Sequence, residues 1–385
     1  MNVYEAAIKR LNIIFDKFNY VYVSFSGGKD SGVLLELCAK VAEERGVRFG
    51  IFHMDYEAQY KMTSEYVERM LERFKNKADI YHVCVPFKVT TSTSMFQSYW
   101  RPYEASKQDL WVKKPPVYAM TEKDFPFFSD KLWDYDFQDE FGEWLAAKYK
   151  SVCCLIGIRT GESLNRWRAV HSDRNYRVWE GYSWTNTAKK CVAAYPIHDW
   201  VVEDVWTANA KNRWDYNRLY DLFFYAGVPL HKQRVASPFL GEGMEAIHLY
   251  QVIEPDTWGR LVGRVNGVNF AGLYGGTTAM GWQKITKPDH FTWEQYMYFL
   301  LDTLPEATKK NYLDKLATSV KFWKERGGCL DEDTIIRLKE AGVKIEVGGT
   351  TNYKTTKKPV RMEYQEDYTG KNFKDIPTYK RMCVC

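Results

Sequence analysis

The sequence predicts an α/β protein: a doubly wound, mostly parallel sheet followed by a mainly helical C-terminal domain. Three observations carry this. Runs of β-branched and aromatic residues alternate with helix-spaced apolar residues through the first half of the chain. A Gly-Gly turn joins the first such run to the helix after it. From about residue 255 the pattern changes to Gly-rich turns and then long helical stretches.

The elements follow in order. "YVYVSF" (20–25) reads as a strand, and Val33, Leu34, Leu37, Cys38 and Val41 mark one face of a helix that Gly46 stops. "RFGIFHM" (48–54) is a second strand. Met62, Tyr66, Met70 and Phe74 line a second helix. "IYHVCVP" (80–86) is a third strand and "SVCCLIGI" (151–158) a fourth. Alternating strands and helices imply a parallel sheet covered on both faces. The aromatic stretch between the third and fourth strands, about 87–150, is too long for a plain loop and reads as an insertion with some helix. It either covers the site or is a structural excursion. The expected domains are 1–250, with that insertion, and 255–385.

The composition is that of an ordinary globular chain, 45% hydrophobic and 27% charged, with 16% aromatic residues. A net charge of +5 suits an anionic ligand and falls short of a dedicated nucleic-acid binder. The start, "MNVYEAAIKRLNIIF", reads as an amphipathic helix and not as a signal peptide, and no run reaches the length of a membrane span. A cytoplasmic location without membrane contact is expected. The eight cysteines form no CxxC pair and no zinc-type spacing.

"VSFSGGKDSG" (23–32) carries the chemistry. A Walker A loop would need Gly where Val23 stands and Ser or Thr where Asp30 stands, so this is not a loop for cutting at the γ-phosphate. Strand, tight turn and helix N-terminus nevertheless aim backbone N–H groups at one place, which suits a phosphate. Ser26 and Ser31 supply hydroxyls, Lys29 a charge, and Asp30 a carboxylate placed to hold Mg²⁺. Asp55, at the end of the second strand, is expected to open into the ligand crevice. Gly157 would allow close backbone approach, and Arg159 would neutralise a phosphate or sulfate. Arg166 and Arg168 either stabilise charge during transfer or belong to a solvated helix face. Asp199 and Trp200 read as a helix cap and a packed ring, and Ser237 as a turn residue.

"SFSGGKDS" matches the PP-loop signature SGGxDS. The chain thereby resembles the adenine nucleotide α-hydrolase superfamily: the N-type ATP pyrophosphatases, the phosphoadenosine phosphosulfate (PAPS) reductases and the small subunit of sulfate adenylyltransferase. "FHMDYEAQ" (52–59), "GIRTGESLNRWR" (157–168), "YPIHDWVVEDVW" (195–206) and "YNRLYDLFFYAGVP" (216–229) resemble further stretches of these families in the same order. The resemblance implies the HUP-type fold. It also implies a nucleotide site of Ser24, Ser26, Gly27, Gly28, Lys29, Asp30, Ser31, Asp55, Gly157 and Arg159, with Lys29, Asp30, Arg159 and Arg166 as catalytic candidates. The architecture is similar to prophage-associated PAPS-reductase-like proteins typified by immunoglobulin-binding regulator A, which implies a ParB-like partner.

The Glu-Cys-Gly-x-His segment that carries the reductase nucleophile is absent; Cys383 and Cys385 are the terminal thiols. Cys153-Cys154 lacks the CxxC half of an iron–sulfur pattern, so no cluster is expected. Three readings stand at this point. The first is an enzyme that uses ATP and Mg²⁺, cuts between the α- and β-phosphates and adenylylates an acceptor. The second is a sulfonucleotide reductase. The third is a nucleotide-binding regulator of transcription or DNA transactions, for which Trp100, Arg101, Trp111, Lys113 and Lys114 would offer a nucleic-acid face.

Overall fold

Helix α1 (Val3–Lys17) starts on a capping box in which Asn2 and Glu5 satisfy each other's backbone N–H groups. Strand β1 (Tyr20–Ser24), helix α2 (Lys29–Glu44), strand β2 (Phe49–Met54), helix α3 (Lys61–Phe74) and strand β3 (Ala78–Val83) follow. This computed structural model describes residues 2–94, 97–163, 166–167, 170, 178–187, 191–274, 287–304, 306–348, 356–368 and 375–383. The chain divides into two compact units, Met1–Gly276 and Thr277–Cys385.

The first unit is built on a six-stranded sheet. Its other strands are β6 (Val152–Ile156), β7 (Thr185–Asn186) and β8 (Val192–Ala194), in the order β3-β2-β1-β6-β8-β7. All neighbours are parallel except the β7–β8 pair. This is the predicted doubly wound sheet. Tyr20 to Val23 are buried, as a central parallel strand covered on both faces requires. On α2, Val33, Leu34, Leu37, Cys38 and Val41 are all buried in the core, so the apolar face read from the sequence is the packed one. The strand order reverses between β1 and β6, and loops at the carboxyl ends of such a pair form the ligand crevice of open α/β sheets.

The insertion contains the short hairpin β4 (Val89–Thr90) and β5 (Tyr99–Trp100), 3₁₀ turns at Ala105–Leu110 and Glu122–Asp124, and helix α4 (Asp134–Tyr149). After β8 come α5 (Val202–Asn212), α6 (Leu219–Tyr225), α7 (Tyr250–Ile253), α8 (Pro255–Arg264) and α9 (Val268–Tyr274). The expected boundary near 250–255 falls inside this helical run. The reason is packing: Leu261, Val265, Val268 and Ala271 are buried, and Arg264 pairs with Glu57 just beyond β2, both side chains fully buried.

The second unit holds α10 (Trp293–Asp302), α11 (Glu306–Glu325), α12 (Glu332–Glu340) and a three-stranded antiparallel sheet. The sheet order is β10 (Ile345–Val347), β11 (Lys358–Met362), β9 (Gly328–Leu330). Its core joins Leu330, Ile335, Leu338, Val360, Met362 and Ile376. Asp331 caps α12 by accepting from the Thr334 N–H at 2.9 Å.

Candidate functional site

The loop after β1 turns at Gly27, whose φ of +76° favours glycine. A Cβ there would also lie 2.8 Å from Val67 Cγ2. Gly28 is the N-cap of α2 and has no side chain to close the helix end, so the first-turn N–H groups find their partners elsewhere, that of Lys29 in the Tyr220 hydroxyl. Ser26 and Ser31 brace the turn: their hydroxyls are 3.0 Å apart, Ser26 N–H donates to Ser31 Oγ at 3.2 Å, and Ser31 Oγ donates to the Gly28 carbonyl at 3.2 Å. Ser24 ends β1, in register with Phe52 and Ile156.

Lys29, Asp30 and Arg159 form one cluster. Lys29 Nζ is 3.0 Å from Asp30 Oδ2 and donates to the Gln233 carbonyl at 3.3 Å. Arg159 Nε is 2.6 Å from Asp30 Oδ1, and its other end donates to Glu162 at 3.1 Å. Burial lowers the Lys29 ammonium pKa, and the Asp30 carboxylate opposes that shift. Arg166 pairs with Glu162, and its charge and that of Arg159 both act on Lys29. Gly157 is where β6 meets the loop: a Cβ there would lie 3.0 Å from Ser31 N and 3.1 Å from Asp30 C. The structure therefore brings Ser26, Gly27, Gly28, Lys29, Asp30, Ser31, Gly157, Arg159 and Arg166 together. Arg168 lies outside the described residues.

Asp55 does not join this cluster or open into the crevice. Its side chain is fully buried and accepts from the Glu57 N–H at 2.9 Å, from His82 at 3.0 Å and from Lys113 at 2.8 Å. Burial pushes its carboxyl up, but Lys113 and then His82 outweigh it and hold the group well below the usual carboxylate range. The insertion supplies Lys113, which the sequence offered only as part of a basic–aromatic face. Three more residues of that face are also engaged within the fold, while Lys114 is exposed. Trp100 is buried, Arg101 donates to the Pro86 and Asp130 carbonyls, and Trp111 donates to the Glu104 carbonyl.

Sequence reasoning gave no role to the residues that lock the loop from behind. Lys29 N–H donates to Tyr220 Oη at 3.1 Å. Asn217 Nδ2 donates to the Gly27 carbonyl at 3.1 Å and lies 2.9 Å from Thr63 Oγ1. Both belong to "YNRLYDL", a stretch legible as a resemblance but mute about contacts. Asp199 is not a helix cap. Its carboxylate takes both guanidinium nitrogens of Arg10, at 2.8 and 2.7 Å, while Trp200 is the packed ring expected and donates to the Val3 carbonyl. Ser237 is buried in a turn, its carbonyl accepting from Leu240.

The PAPS reductase domain matches residues 20–226, the span that holds the sheet, the loop and its bracing residues. The chain belongs to the phosphoadenosine phosphosulfate reductase family. Residues 227–385 match a domain of unknown function, DUF3440. The uncharacterized protein YbdN of Escherichia coli (strain K12) is 36% identical over 333 residues, 85% of this chain and 81% of YbdN. Among solved structures, the PAPS reductase of Candida auris in a phosphate complex is 13% identical, over 62% of this chain and 88% of that one, with a TM-score of 0.32. The U34-tRNA thiolase NcsA of Methanococcus maripaludis with its [4Fe-4S] cluster is 11% identical, over 75% and 84%, with a TM-score of 0.35.

Thiols in the family's name-giving chemistry must ionise to attack sulfur. Here burial pushes the Cys383 thiol up to about 11, with Glu366 adding to the shift, and Cys383 Sγ donates to the Trp293 carbonyl. Cys385 lies outside the described residues. Cys153 and Cys154 are buried in β6, and burial raises both thiols. Among the described residues no helix is long and apolar enough to cross a membrane.

Proposed function

We propose that this PAPS-reductase-family protein binds ATP with its phosphates on the loop 24–31 and cuts it between the α- and β-phosphates. An acceptor oxygen attacks the α-phosphorus. The new bond joins that oxygen to the α-phosphorus, the bond to the β-phosphate bridging oxygen breaks, and pyrophosphate leaves with the electron pair. The acceptor's proton passes to solvent.

The observation that carries this reading is the Asp30 carboxylate held between Lys29 and Arg159 at a helix N-terminus that Gly28 leaves without a side-chain cap. An arriving polyphosphate meets backbone N–H groups, two serine hydroxyls and two cations already fixed in place, which is electrostatic preorganisation at a phosphorus centre. Arg166, paired with Glu162, adds a further positive charge that acts on Lys29. Mg²⁺ is held mostly by substrate phosphates and water, with one or two protein carboxylates. Asp30 is the loop's carboxylate, and its remaining lone pairs are what it has to offer the ion.

The test is incubation of the full chain with Mg-ATP labelled at the α- and γ-phosphates, beside Lys29→Ala and Asp30→Ala. AMP and pyrophosphate, lost in both variants, support the assignment. ADP and phosphate as products would overturn it.

A further inference from the structure

His53, Asp55 and His82 are buried together at the carboxyl ends of β2 and β3, and one ligand-capable atom from each lies within 4.8 Å of the others. The parallel register makes this cluster: His53 stands opposite His82, and Asp55 N–H bonds to the Val83 carbonyl at 2.9 Å.

The His53 ring is already oriented as a ligand. Its Nδ1 is 2.8 Å from the Phe25 carbonyl, and a carbonyl only accepts, so Nδ1 carries the proton. Nε2 therefore presents a bare lone pair. It is buried and has no hydrogen-bond partner among the described residues. A buried acceptor left unused calls for an explanation. A backbone carbonyl on the far nitrogen is also the outer contact that fixes metal-ligating imidazoles. His82 Nε2 is 3.0 Å from Asp55 Oδ2, and its Nδ1 is 3.4 Å from the Tyr118 hydroxyl. Moving the His82 proton to Nδ1, toward Tyr118, frees Nε2 as a second nitrogen ligand.

We propose that His53 Nε2, His82 Nε2 and an Asp55 carboxylate oxygen bind one transition-metal dication of the zinc class. Two imidazoles and one carboxylate suit zinc better than the oxygen-seeking magnesium. Three protein ligands leave a fourth position for water. Lys113 holds the cation's place beside Asp55 in the metal-free cluster. Its Nζ also bonds Ser64 Oγ at 2.8 Å and its side chain reaches solvent, so it has a partner to keep when a dication takes the carboxylate. Phe25 leads directly into Ser26, so a metal on His53 would pin the base of the phosphate loop. The proposal rests on this cluster alone and stands whether or not ATP is the substrate.

The experiment titrates Co²⁺, as a spectroscopic probe, into full-length protein first stripped with a chelator. One Co²⁺ per chain, with the visible absorption of a tetrahedral site and displaced by Zn²⁺, is expected. His53→Gln and His82→Gln should each weaken binding by at least about tenfold, the scale on which metal-site changes act. Lys113→Met should tighten it by removing the competing ammonium. X-ray absorption of the wild-type zinc complex should show two imidazole nitrogens at about 2.0 Å and no sulfur. This reading needs no variant to fold. Sulfur scattering, affinity unchanged in both histidine variants, or no stoichiometric binding by either wild type or Lys113→Met would overturn the site.

Discussion

Arg159 Nε lies 2.6 Å from one oxygen of Asp30 while Lys29 Nζ lies 3.0 Å from the other. One carboxylate thus sits between two cations that the crevice has largely removed from water, Arg159 having a second partner in Glu162. Asp30→Asn keeps the shape and removes that charge. Breaking a buried pair by deleting one partner costs about 3–5 kcal/mol, and the amide oxygen retained here should bring the loss to about 2–3 kcal/mol. Urea unfolding measures it. With that charge gone, Lys29 and Arg159 should hold metal-free ATP more tightly, so calorimetry without Mg²⁺ should show stronger ATP binding by Asp30→Asn, while turnover of Mg-ATP disappears. Weaker binding of metal-free ATP would mean that Asp30 contacts the nucleotide itself and not only its metal.

Gly157 permits a close backbone approach that a Cβ would crowd. A Cβ at this position would press on Ser31 N at 3.0 Å and on Asp30 C at 3.1 Å, both backbone atoms of the first turn of α2. They cannot yield as a flexible side chain would. Gly157→Ala should cost about 1–3 kcal/mol, as overpacking does. It should also reduce nucleotide affinity by displacing the N–H groups at the helix start. Gly161→Ala is the control, because a Cβ there meets nothing within 4 Å. Equal effects in the two variants would show that the close approach to α2 is not what selects Gly157.

Asn217 bonds the Gly27 carbonyl from 190 positions further along the chain and is itself fully buried. Asn217→Ala leaves that carbonyl and Thr63 Oγ1 without their donor. An unsatisfied buried group costs about 1–3 kcal/mol. Loss of stability should come with weaker ATP binding, because the Gly27 turn loses its brace. Asn217→Asp, which keeps the size but lacks the donor, should behave like the alanine variant in a fluorescence-detected nucleotide titration.

The parallel sheet and the loop were legible because their causes are local. A strand buried on both faces must be apolar throughout, and a tight turn into a helix must spend glycines. The bracing of the loop was not legible. Asn217 and Tyr220 act across the fold on Gly27 and Lys29, and no periodicity records such a pairing. Asp55 was misplaced for a related reason. Its position at a strand end was readable, but its enclosure depends on Lys113 from the insertion and His82 from the next strand. Nor was it legible that Arg264 reaches back to a buried Glu57, a contact between residues 207 positions apart.

Arg10 and Asp199 supply the pH test. Their two-pronged pair ties α1 to the "YPIHDW" stretch, with Arg10 also donating to the Pro196 carbonyl at 2.8 Å. Burial pushes the Asp199 carboxyl up, but the hydrogen bonds and charge of Arg10 outweigh it, and the folded-state pKa is lowered. A carboxyl whose folded pKa lies below its unfolded value of 3.8 contributes stability that is present above that value and is lost as pH falls through the folded pKa. About a third of the Asp199 side chain is exposed, so screening by solvent limits the pair to about 1 kcal/mol. Asp199→Asn should therefore lower stability by about 1 kcal/mol at neutral pH, with the two proteins converging below pH 3.8 once wild-type Asp199 also takes up its proton. Urea midpoints measured at neutral pH and then at successively lower pH below 3.8 would show the gap closing. A gap that stays constant across the range would assign the effect of the substitution to packing and not to the charge on Asp199.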